Sequence, residues 1–167
     1  MAIYSPRLAR RLRDKKTEKT QQFVCFLLAQ EWFALPIDVI QKVVQLGKVY
    51  GDPQGKGISL TNYQGKELLV IDVARRIFGL SAISSSCQDE NKLRFLLIIQ
   101  NKYNETVGLP IDSPPSIRHI PESAFLPLPE IYLTQGNIHC ISSTMIEVSN
   151  QAPLFVLDVT QLTNNQG

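Results

Sequence analysis

The side chains in this sequence that most often carry out chemistry in proteins are two histidines, His119 and His139, and three cysteines. His139 is followed by Cys140, and adjacent side chains of a strand point to opposite faces, so this pair cannot bind one ion. None of the histidine and cysteine spacings typical of zinc sites occurs, and His119 has no evident nucleophile or orienting partner. The sequence therefore predicts no metal site, no cofactor and no catalytic residue.

Four aspartates recur at corresponding places in the two halves of the chain, and paired carboxylates are a common arrangement for acid–base catalysis. Each of them, however, stands at a turn or just before a short helical segment, where an aspartate accepts hydrogen bonds from free backbone N–H groups. One carboxylate is enough for such a cap, whereas acid–base chemistry needs two placed together. We therefore interpret them as turn and cap residues of a protein that is not an enzyme. These aspartates are Asp38, Asp72, Asp112 and Asp158.

The elements that position these side chains are predicted to be short strands. Residues 23–29 form an apolar run long enough for one strand buried on both faces, and residues 38–46 are rich in β-branched side chains. Residues 47–57 contain four glycines and are predicted to form a loop. Asp72 is expected to cap a short helix over residues 73–78. Further strands are predicted at residues 68–71, 93–100, 138–141, 145–148 and 154–157. The predicted class is all-β with short connecting helices.

The chain also contains an internal repeat. Three stretches of the first half have counterparts in the same order in the second half, namely 26–28 with 95–97, 35–38 with 109–112, and 69–73 with 155–159. Each half holds about 65–75 residues, a size at which a single core is marginally stable alone. We therefore expect two lobes packed on each other, with the seam between them as the natural binding surface.

The formal net charge of +2 is distributed unevenly. Residues 1–20 carry seven basic and two acidic side chains, whereas residues 21–167 carry ten basic and thirteen acidic ones. The first 20 residues are interpreted as a basic tail, disordered or weakly helical, with Leu8 and Leu12 on one face of any helix. No aromatic residue interleaves its arginines, so nucleic acid is not an expected partner. A weak contact between the tail and an acidic lipid surface is left open.

The longest apolar run and the cysteines indicate the expected compartment. That run is seven residues long, whereas a membrane-spanning helix needs about 20. Cys25 and Cys140 lie in apolar segments, as buried reduced thiols do. The basic start is not followed by the apolar stretch of a secretory signal. We therefore expect a cytoplasmic protein without a membrane span.

Three stretches together resemble the CheW-like domain family, the coupling proteins of chemotaxis. Thr61–Val73 is similar to the family stretch Asn-Leu-Arg-Gly and the Pro-Val-Ile-Asp-Leu that follows it. Val107–Asp112 resembles the family's Val-Gly-x-x-Val-Asp, and Leu154–Leu162 resembles its closing strand and helix. No single motif is diagnostic, but their order and spacing are fairly specific, and the resemblance covers roughly residues 20–163.

The resemblance implies two intertwined five-stranded β-barrels around a shared core. The domain would span residues 21–163, with lobes at roughly 37–92 and 93–158 that exchange strands, and residues 164–167 would form a tail. It also implies a non-enzymatic adaptor that couples a chemotaxis-type histidine kinase to chemoreceptors in chemotaxis, phototaxis or pilus motility. The implied partners are the regulatory domain of the kinase and the cytoplasmic tip of the receptor, with recruitment to receptor arrays at the inner membrane. The alternative is a regulatory ligand- or lipid-binding β-barrel module attached through the basic tail.

By position, the resemblance implies two binding surfaces. The kinase-binding edge is expected to contain Ser59, Leu60, Thr61, Asn62 and Tyr63. The receptor-binding groove is expected to contain Ile37, Ile40, Val43, Gln64, Leu109 and Ile111. Because side chains alternate along a strand, about half of the apolar members should point inward.

The chain departs from the family pattern at four positions around the first motif. Gln64 stands where arginine is usual, Ser59 where a glycine usually precedes the motif, and Val70 near the usual proline. Tyr63 replaces a small aliphatic residue. Loss of the arginine removes a bidentate donor, whereas a tyrosine adds an interface anchor with a polar tip. We interpret the chain as a diverged member whose partners differ in identity.

Overall fold

The computed structural model describes residues 18–51, 57–78, 94–131 and 140–163. The strands within these ranges are β1 (Thr20–Leu28), β2 (Glu31–Pro36), β3 (Ile40–Gln45), β4 (Val49–Tyr50), β5 (Ile58–Tyr63), β6 (Lys66–Ile71), β7 (Phe95–Gln100), β8 (Thr106–Ile111), β9 (Ser116–Pro121), β10 (Phe125–Pro127), β11 (Ile141–Ile146) and β12 (Leu154–Leu157). The short helices are α1 (Val73–Phe78) and α2 (Val159–Thr163), and the 3₁₀ turns are η1 (Ile37–Val39) and η2 (Glu122–Ala124). The predictions for residues 1–17, His139 and residues 164–167 lie outside the described residues.

The described strands form two six-stranded sheets with the same internal order. The first sheet has the order β10-β11-β12-β2-β1-β9, and the second has the order β4-β5-β6-β8-β7-β3. Each sheet consists of five longer strands and one short edge strand, β10 with three residues or β4 with two. The all-β class with short helices is therefore confirmed. The family resemblance implied five strands in each lobe, and each sheet has in addition one edge strand of two or three residues.

Each sheet combines a hairpin from one half of the chain with strands from the other half. The β1–β2 hairpin pairs with β9 and β12, and the β7–β8 hairpin pairs with β3 and β6. The contacts of β2 with β12 and of β6 with β8 are parallel, and the pairs inside each hairpin are antiparallel. The second sheet uses six consecutive strands, β3–β8, and the first sheet is completed by β1–β2 from before them and β9–β12 from after them. The chain therefore begins in the first lobe, crosses to the second and returns to the first.

The register of the parallel pairs places most of the sequence repeat at equivalent positions. Ala34 lies opposite Val156, and Gly108 lies opposite Val70 in the same way. Ala34 and Gly108 each directly precede a Leu-Pro-Ile-Asp stretch, so these two stretches occupy equivalent places.

The third match of the repeat, 26–28 with 95–97, is wrong. Phe26 lies opposite Phe33 within its hairpin, whereas Phe95 lies opposite Ile111. The position in the β7–β8 pair that is equivalent to Phe26 lies at one end of that pair, and Phe95 lies at the other end. The two Phe-Leu-Leu sequences are similar only because both belong to buried strands, and buried strands are generally apolar.

A large hydrophobic cluster lies between the two sheets. We call it the shared core; its most enclosed strand residues are drawn from both sheets and are Phe26, Leu28, Phe33, Leu35, Leu97, Ile99, Leu109 and Ile111. The opposite face of β1 contributes Phe23 and Cys25 to a second cluster made only of first-sheet residues and their flanking segments. Since both faces of β1 are covered, its continuous apolar run is explained, as the sequence predicted.

Each sheet also curls so that strands at its opposite sides approach one another. In the second sheet, Val44 on β3 and Tyr63 on β5 pack against one small cluster, although β7, β8 and β6 lie between their strands in the sheet order. In the first sheet, the rings of Phe23 on β1 and Phe125 on β10 have centroids 5.6 Å apart. This curvature is what a barrel-like lobe requires, because a flat sheet would hold these strands apart.

Both predicted aspartate caps are present. The Asp72 Oδ1 atom accepts a hydrogen bond from the Arg75 N–H at 3.2 Å at the start of α1. The Asp158 Oδ1 atom accepts from the N–H groups of Thr160 at 3.0 Å and Gln161 at 3.2 Å at the start of α2. The aspartates therefore satisfy free backbone donors at helix starts.

Candidate partner-binding surfaces

The predicted kinase-binding edge lies on β5, near one side of the second sheet. Ser59 and Thr61 are buried, and Thr61 Oγ1 donates a hydrogen bond to the carbonyl oxygen of Lys48 at 2.9 Å. Leu60 and Tyr63 are half-buried, and Asn62 is exposed. Leu60, Asn62 and Tyr63 are therefore the members of this set whose side chains reach the surface. A role of this edge in partner binding stays a prediction.

The structure adds Tyr50 to this edge, a residue that the sequence reasoning missed. Tyr50 on β4 lies opposite Leu60 on β5 and is 43% exposed. Its hydroxyl donates to the Glu67 carboxylate at 3.5 Å, which holds the ring beside the β5–β6 pair. The signal was hidden because β4 has only two residues and lies in a glycine-rich segment that was predicted to be a loop. We call the surface formed by Tyr50, Leu60 and Asn62 the edge patch.

Gln64 lies in the tight turn between β5 and β6, next to the edge patch in the chain. Gln64 and Gly65 have φ angles of 51° and 77°, and this pair of positive values is typical of a two-residue type I′ hairpin turn. The Gln64 side chain is exposed. Gln64 directly follows Tyr63, which packs against the same small cluster as Val44 of β3. Its place in the receptor-binding groove stays a prediction.

The predicted receptor groove falls at the seam where the chain crosses from the first sheet to the second. Ile37 in η1 and Ile40 at the start of β3 are half-buried and pack against the shared core, and Val43 is 39% exposed. β3 is the last strand of the second sheet, so it pairs only with β7 on one side. We call the surface formed by Ile37, Ile40 and Val43 the seam patch.

A β-bulge in β3 places two members of the seam patch on the same face of the strand. Ile40 and Val43 are three residues apart and would point to opposite faces of a regular strand. The register with β7 shifts between Ile40 and Lys42, so that Ile40 lies opposite Ile99 and Val43 lies opposite Leu97. Because Ile99 and Leu97 are two residues apart, the bulge brings Ile40 and Val43 to the same face.

Leu109 and Ile111 are not part of the accessible seam. Their side chains are 0% and 1% exposed and belong to the shared core. In this structure they can support the seam patch from beneath but cannot contact a partner directly. The sequence did not separate them from Ile40 and Val43, because all four are apolar and the local sequence does not show which side chains a second sheet covers.

The described residues offer little for metal or acid–base chemistry. His119 is exposed on β9, and its Nε2 atom lies 3.5 Å from the Gln22 amide nitrogen. Asp112 accepts a hydrogen bond from the Ala29 N–H at 3.0 Å, where it closes a turn. Over 18–51, 57–78, 94–131 and 140–163, histidine, cysteine, aspartate and glutamate side chains form no group of three that could hold a metal ion.

No helix in the described part of the chain is both long enough and apolar enough to cross a membrane.

The fold and these surfaces define a two-lobed, strand-exchanged all-β domain with accessible apolar residues at one sheet edge and at the seam. The profile of the CheW-like domain matches residues 22–167. The chain therefore belongs to the CheW-like domain family.

A solved structure with the same fold is the scaffolding protein TtCheW from Thermoanaerobacter tengcongensis. It has 19% sequence identity and a TM-score of 0.66, with 84% of this chain and 85% of that chain covered. At this identity the likeness concerns the fold. A search of curated proteins gave no match.

Proposed function

We propose that this protein is a non-enzymatic adaptor that couples a chemotaxis-type histidine kinase to chemoreceptors. The observation that carries the proposal is membership of the CheW-like domain family over residues 22–167. TtCheW, which shares the fold, is described as a scaffolding protein. The adaptor would act in the cytoplasm at receptor arrays on the inner membrane, in chemotaxis, phototaxis or pilus motility.

The kinase regulatory domain is assigned to the edge patch. Tyr50 and Leu60 face the same side of the sheet and keep part of their apolar surface accessible, and Tyr50 carries a polar tip. Such amphipathic aromatic side chains are typical anchors of protein interfaces. Among the described residues, β4 pairs only with Leu60 and Thr61 of β5, and a sheet edge of this kind offers backbone groups to a second β-domain.

The receptor tip is assigned to the seam patch. A helical hairpin presents apolar side chains at i, i+3 and i+4 spacing, and these fit a shallow apolar surface between two packed lobes. Ile37, Ile40 and Val43 supply such a surface, and the buried Leu109 and Ile111 would fix its shape from below.

The charge of the second sheet favours acidic partners. The described segments that contain it, 40–51, 57–78 and 94–111, carry seven basic and three acidic side chains. Binding to either proposed partner should therefore weaken as salt concentration rises, since salt screens exposed charges beyond about 10 Å at 0.1 M.

Titration calorimetry of the full chain with the kinase regulatory domain from the same genome tests the proposal. We expect a Kd of about 1 μM or tighter, which corresponds to roughly −8 kcal/mol. The substitution Leu60→Asp should abolish the binding heat while the melting temperature changes little, because Leu60 is half-buried and lies outside the hydrophobic clusters.

The matched control is Ile117→Asp, a charge placed at a 60% exposed apolar residue on the edge strand of the first sheet. This variant should bind the kinase domain like the unchanged chain. Absence of binding heat with folded, unchanged protein would contradict the proposal. Loss of binding in both variants would contradict the assignment to the edge patch.

A further inference from the structure

A groove lies on the first sheet, away from the edge patch and the seam patch. It has a volume of about 1030 Å³ and runs between β9, η2 and the segment that follows β11. Its lining includes Arg118, Ile120, Ser123, Ile146, Glu147 and Val148. We call it the β9–β11 groove.

The floor of the groove is apolar and its rim is polar. Ile120 and Ile146 are 4% and 0% exposed and belong to the second hydrophobic cluster, against which Val148 also packs. Arg118 on the rim lies over the Trp32 ring at 5.6 Å and donates a hydrogen bond to the Gln151 side chain at 3.3 Å. An occupant of this groove would need apolar side chains flanked by polar or charged ones.

The chain enters the described structure at the rim of this groove. The Glu18 carboxylate accepts a hydrogen bond from the backbone N–H of Ser123 at 3.1 Å, and Ser123 lines the groove. The carbonyl oxygen of Lys19 accepts from the Glu122 N–H at 3.2 Å. Residues 1–17 are thus tethered at the groove mouth, and a 17-residue chain can span up to roughly 55 Å when extended.

The charges of the two sheets differ in sign and favour this position for a basic segment. The described segments that contain the first sheet, 18–36, 116–131 and 140–163, carry six acidic and two basic side chains, whereas those of the second sheet carry a net charge of +4. Residues 1–17 carry six basic side chains and one acidic one. The tail therefore leaves from the acidic sheet and would be repelled by the basic one. Two exposed acids lie here: Glu147 lines the groove, and Glu122 directly precedes the lining residue Ser123.

We propose that residues 1–17 of this chain occupy the β9–β11 groove. The apolar Leu8 and Leu12 would contact the accessible apolar lining of the groove, formed by Ala124, Met145 and Val148 above the buried Ile120 and Ile146. The flanking arginines would lie near Glu122 and Glu147. Because the tether makes the contact intramolecular, its effective concentration is on the order of millimolar, so a weak contact is enough for occupancy. This inference does not depend on the proposed adaptor function.

Paramagnetic broadening in the full-length chain tests the proposal. A spin label is attached to Ala9→Cys in a chain that also carries Cys87→Ser; Cys25 and Cys140 are 0% and 2% exposed and remain unlabelled. We expect loss of amide signal intensity at Ile120 and Val148 relative to the same chain with the label reduced. Amides of β5 should keep their intensity.

Two variants and one matched control make the test specific. Glu147→Lys and the tail variant Leu8→Ser/Leu12→Ser should each restore the intensity at Ile120 and Val148. The matched control is Glu31→Lys, because Glu31 is an exposed acid of the same sheet that does not line the groove; this variant should keep the broadening.

Unbroadened groove amides, or broadening centred on another surface, would overturn the proposal. So would equal effects of Glu147→Lys and Glu31→Lys, since a general charge attraction would then suffice. A third outcome is that the groove amides are unbroadened in the free chain and that the labelled chain binds vesicles of anionic phospholipid. This result would overturn the proposal and assign the tail to a membrane surface.

Discussion

Cys25 and Cys140 show how burial sets the chemistry of single residues. Burial raises the pKa of both thiols; a nearby arginine, Arg118 for Cys25 and Arg76 for Cys140, only partly opposes this. The thiolate is the reactive form, so a raised pKa and a closed environment both slow its reactions. These two cysteines are therefore structural side chains.

Thiol labelling at pH 8 checks this account. Cys25 and Cys140 should react only after unfolding, because both are inaccessible and protonated in the folded protein. An unfolded thiol has a pKa of about 8.5 and loses its proton above that pH, whereas the thiols of the folded protein keep their protons there. The free energy of unfolding should thus be unaffected by these groups well below pH 8.5 and fall as pH rises through and above that value. Rapid labelling of Cys25 in folded protein would contradict the burial argument.

At the residue scale, the sequence could predict which residues are apolar but not which of them reach the surface. Leu60 is half-buried and Leu109 is fully buried, although both were placed in binding surfaces. Exposure depends on strand register and on which sheet covers a face. The bulge after Ile40, which turns Val43 to the same side, depends on a pairing with β7 more than fifty residues away.

Helix α2 shows how a short element can serve the whole core. It has five residues, too few to be stable alone, yet it places Leu162 in the shared core with 0% exposure. Its N-terminal donors are satisfied by Asp158, whose own N–H donates to the carbonyl oxygen of Cys140 at 2.7 Å. The cap therefore connects α2 to the segment that leads into β11.

The substitution Asp158→Ala should lower the free energy of unfolding by about 1 kcal/mol, because two backbone donors lose their acceptor. Asp158→Asn should restore most of this loss, since asparagine caps helices about equally well. Urea denaturation of the three proteins gives the values. Equal destabilisation by both substitutions would contradict a capping role and point to the charge instead.

At the element scale, strands with a long apolar run were predictable, whereas short edge strands were not. β1, β6, β7 and β12 lie where the sequence predicted strands. No strand was predicted at β2, β5 or β8, and β4 was missed inside a glycine-rich loop. The strands predicted at 138–141 and 145–148 correspond to the single strand β11 within the described residues. Such boundaries are set by pairing partners, which local sequence does not encode.

The shared core makes the two sheets one thermodynamic unit. Leu97 on the second sheet and Phe33 on the first are both fully buried in it, and each sheet contains a hairpin from the other half of the chain. Neither lobe can lose its structure without exposing apolar surface of the other. Unfolding is therefore expected to be a single cooperative transition.

The substitution Leu97→Ala tests this coupling. It should lower the free energy of unfolding by about 2–5 kcal/mol as a buried cavity forms. Trp32, the one tryptophan of the chain, lies on the first sheet and packs against the other cluster, so its fluorescence reports on the lobe that was not changed. In Leu97→Ala, the unfolding transition followed by Trp32 fluorescence should shift by the same amount as the transition followed by circular dichroism. A Trp32 transition that stays in place would contradict a shared core.

At the scale of the whole molecule, the repeat predicted two similar lobes but could not show which hairpin joins which sheet. Two Leu-Pro-Ile-Asp stretches look the same whether each hairpin pairs with its own half or with the other one. The exchange is decided by long-range pairs such as Ala34 with Val156 and Val70 with Gly108. The resemblance to the family, rather than periodicity, supplied the expectation of intertwined lobes.

As the proposed adaptor, one molecule binds two partners through two separate surfaces, the edge patch and the seam patch. The most direct measurement is co-assembly of the full chain with the kinase regulatory domain and a chemoreceptor tip, followed by analytical ultracentrifugation. The unchanged chain should form a three-component complex. Leu60→Asp should lose only the kinase domain, and Val43→Asp, at a 39% exposed residue, only the receptor tip. Failure of the unchanged, folded chain to bind either partner, or loss of both partners in each variant, would contradict the account.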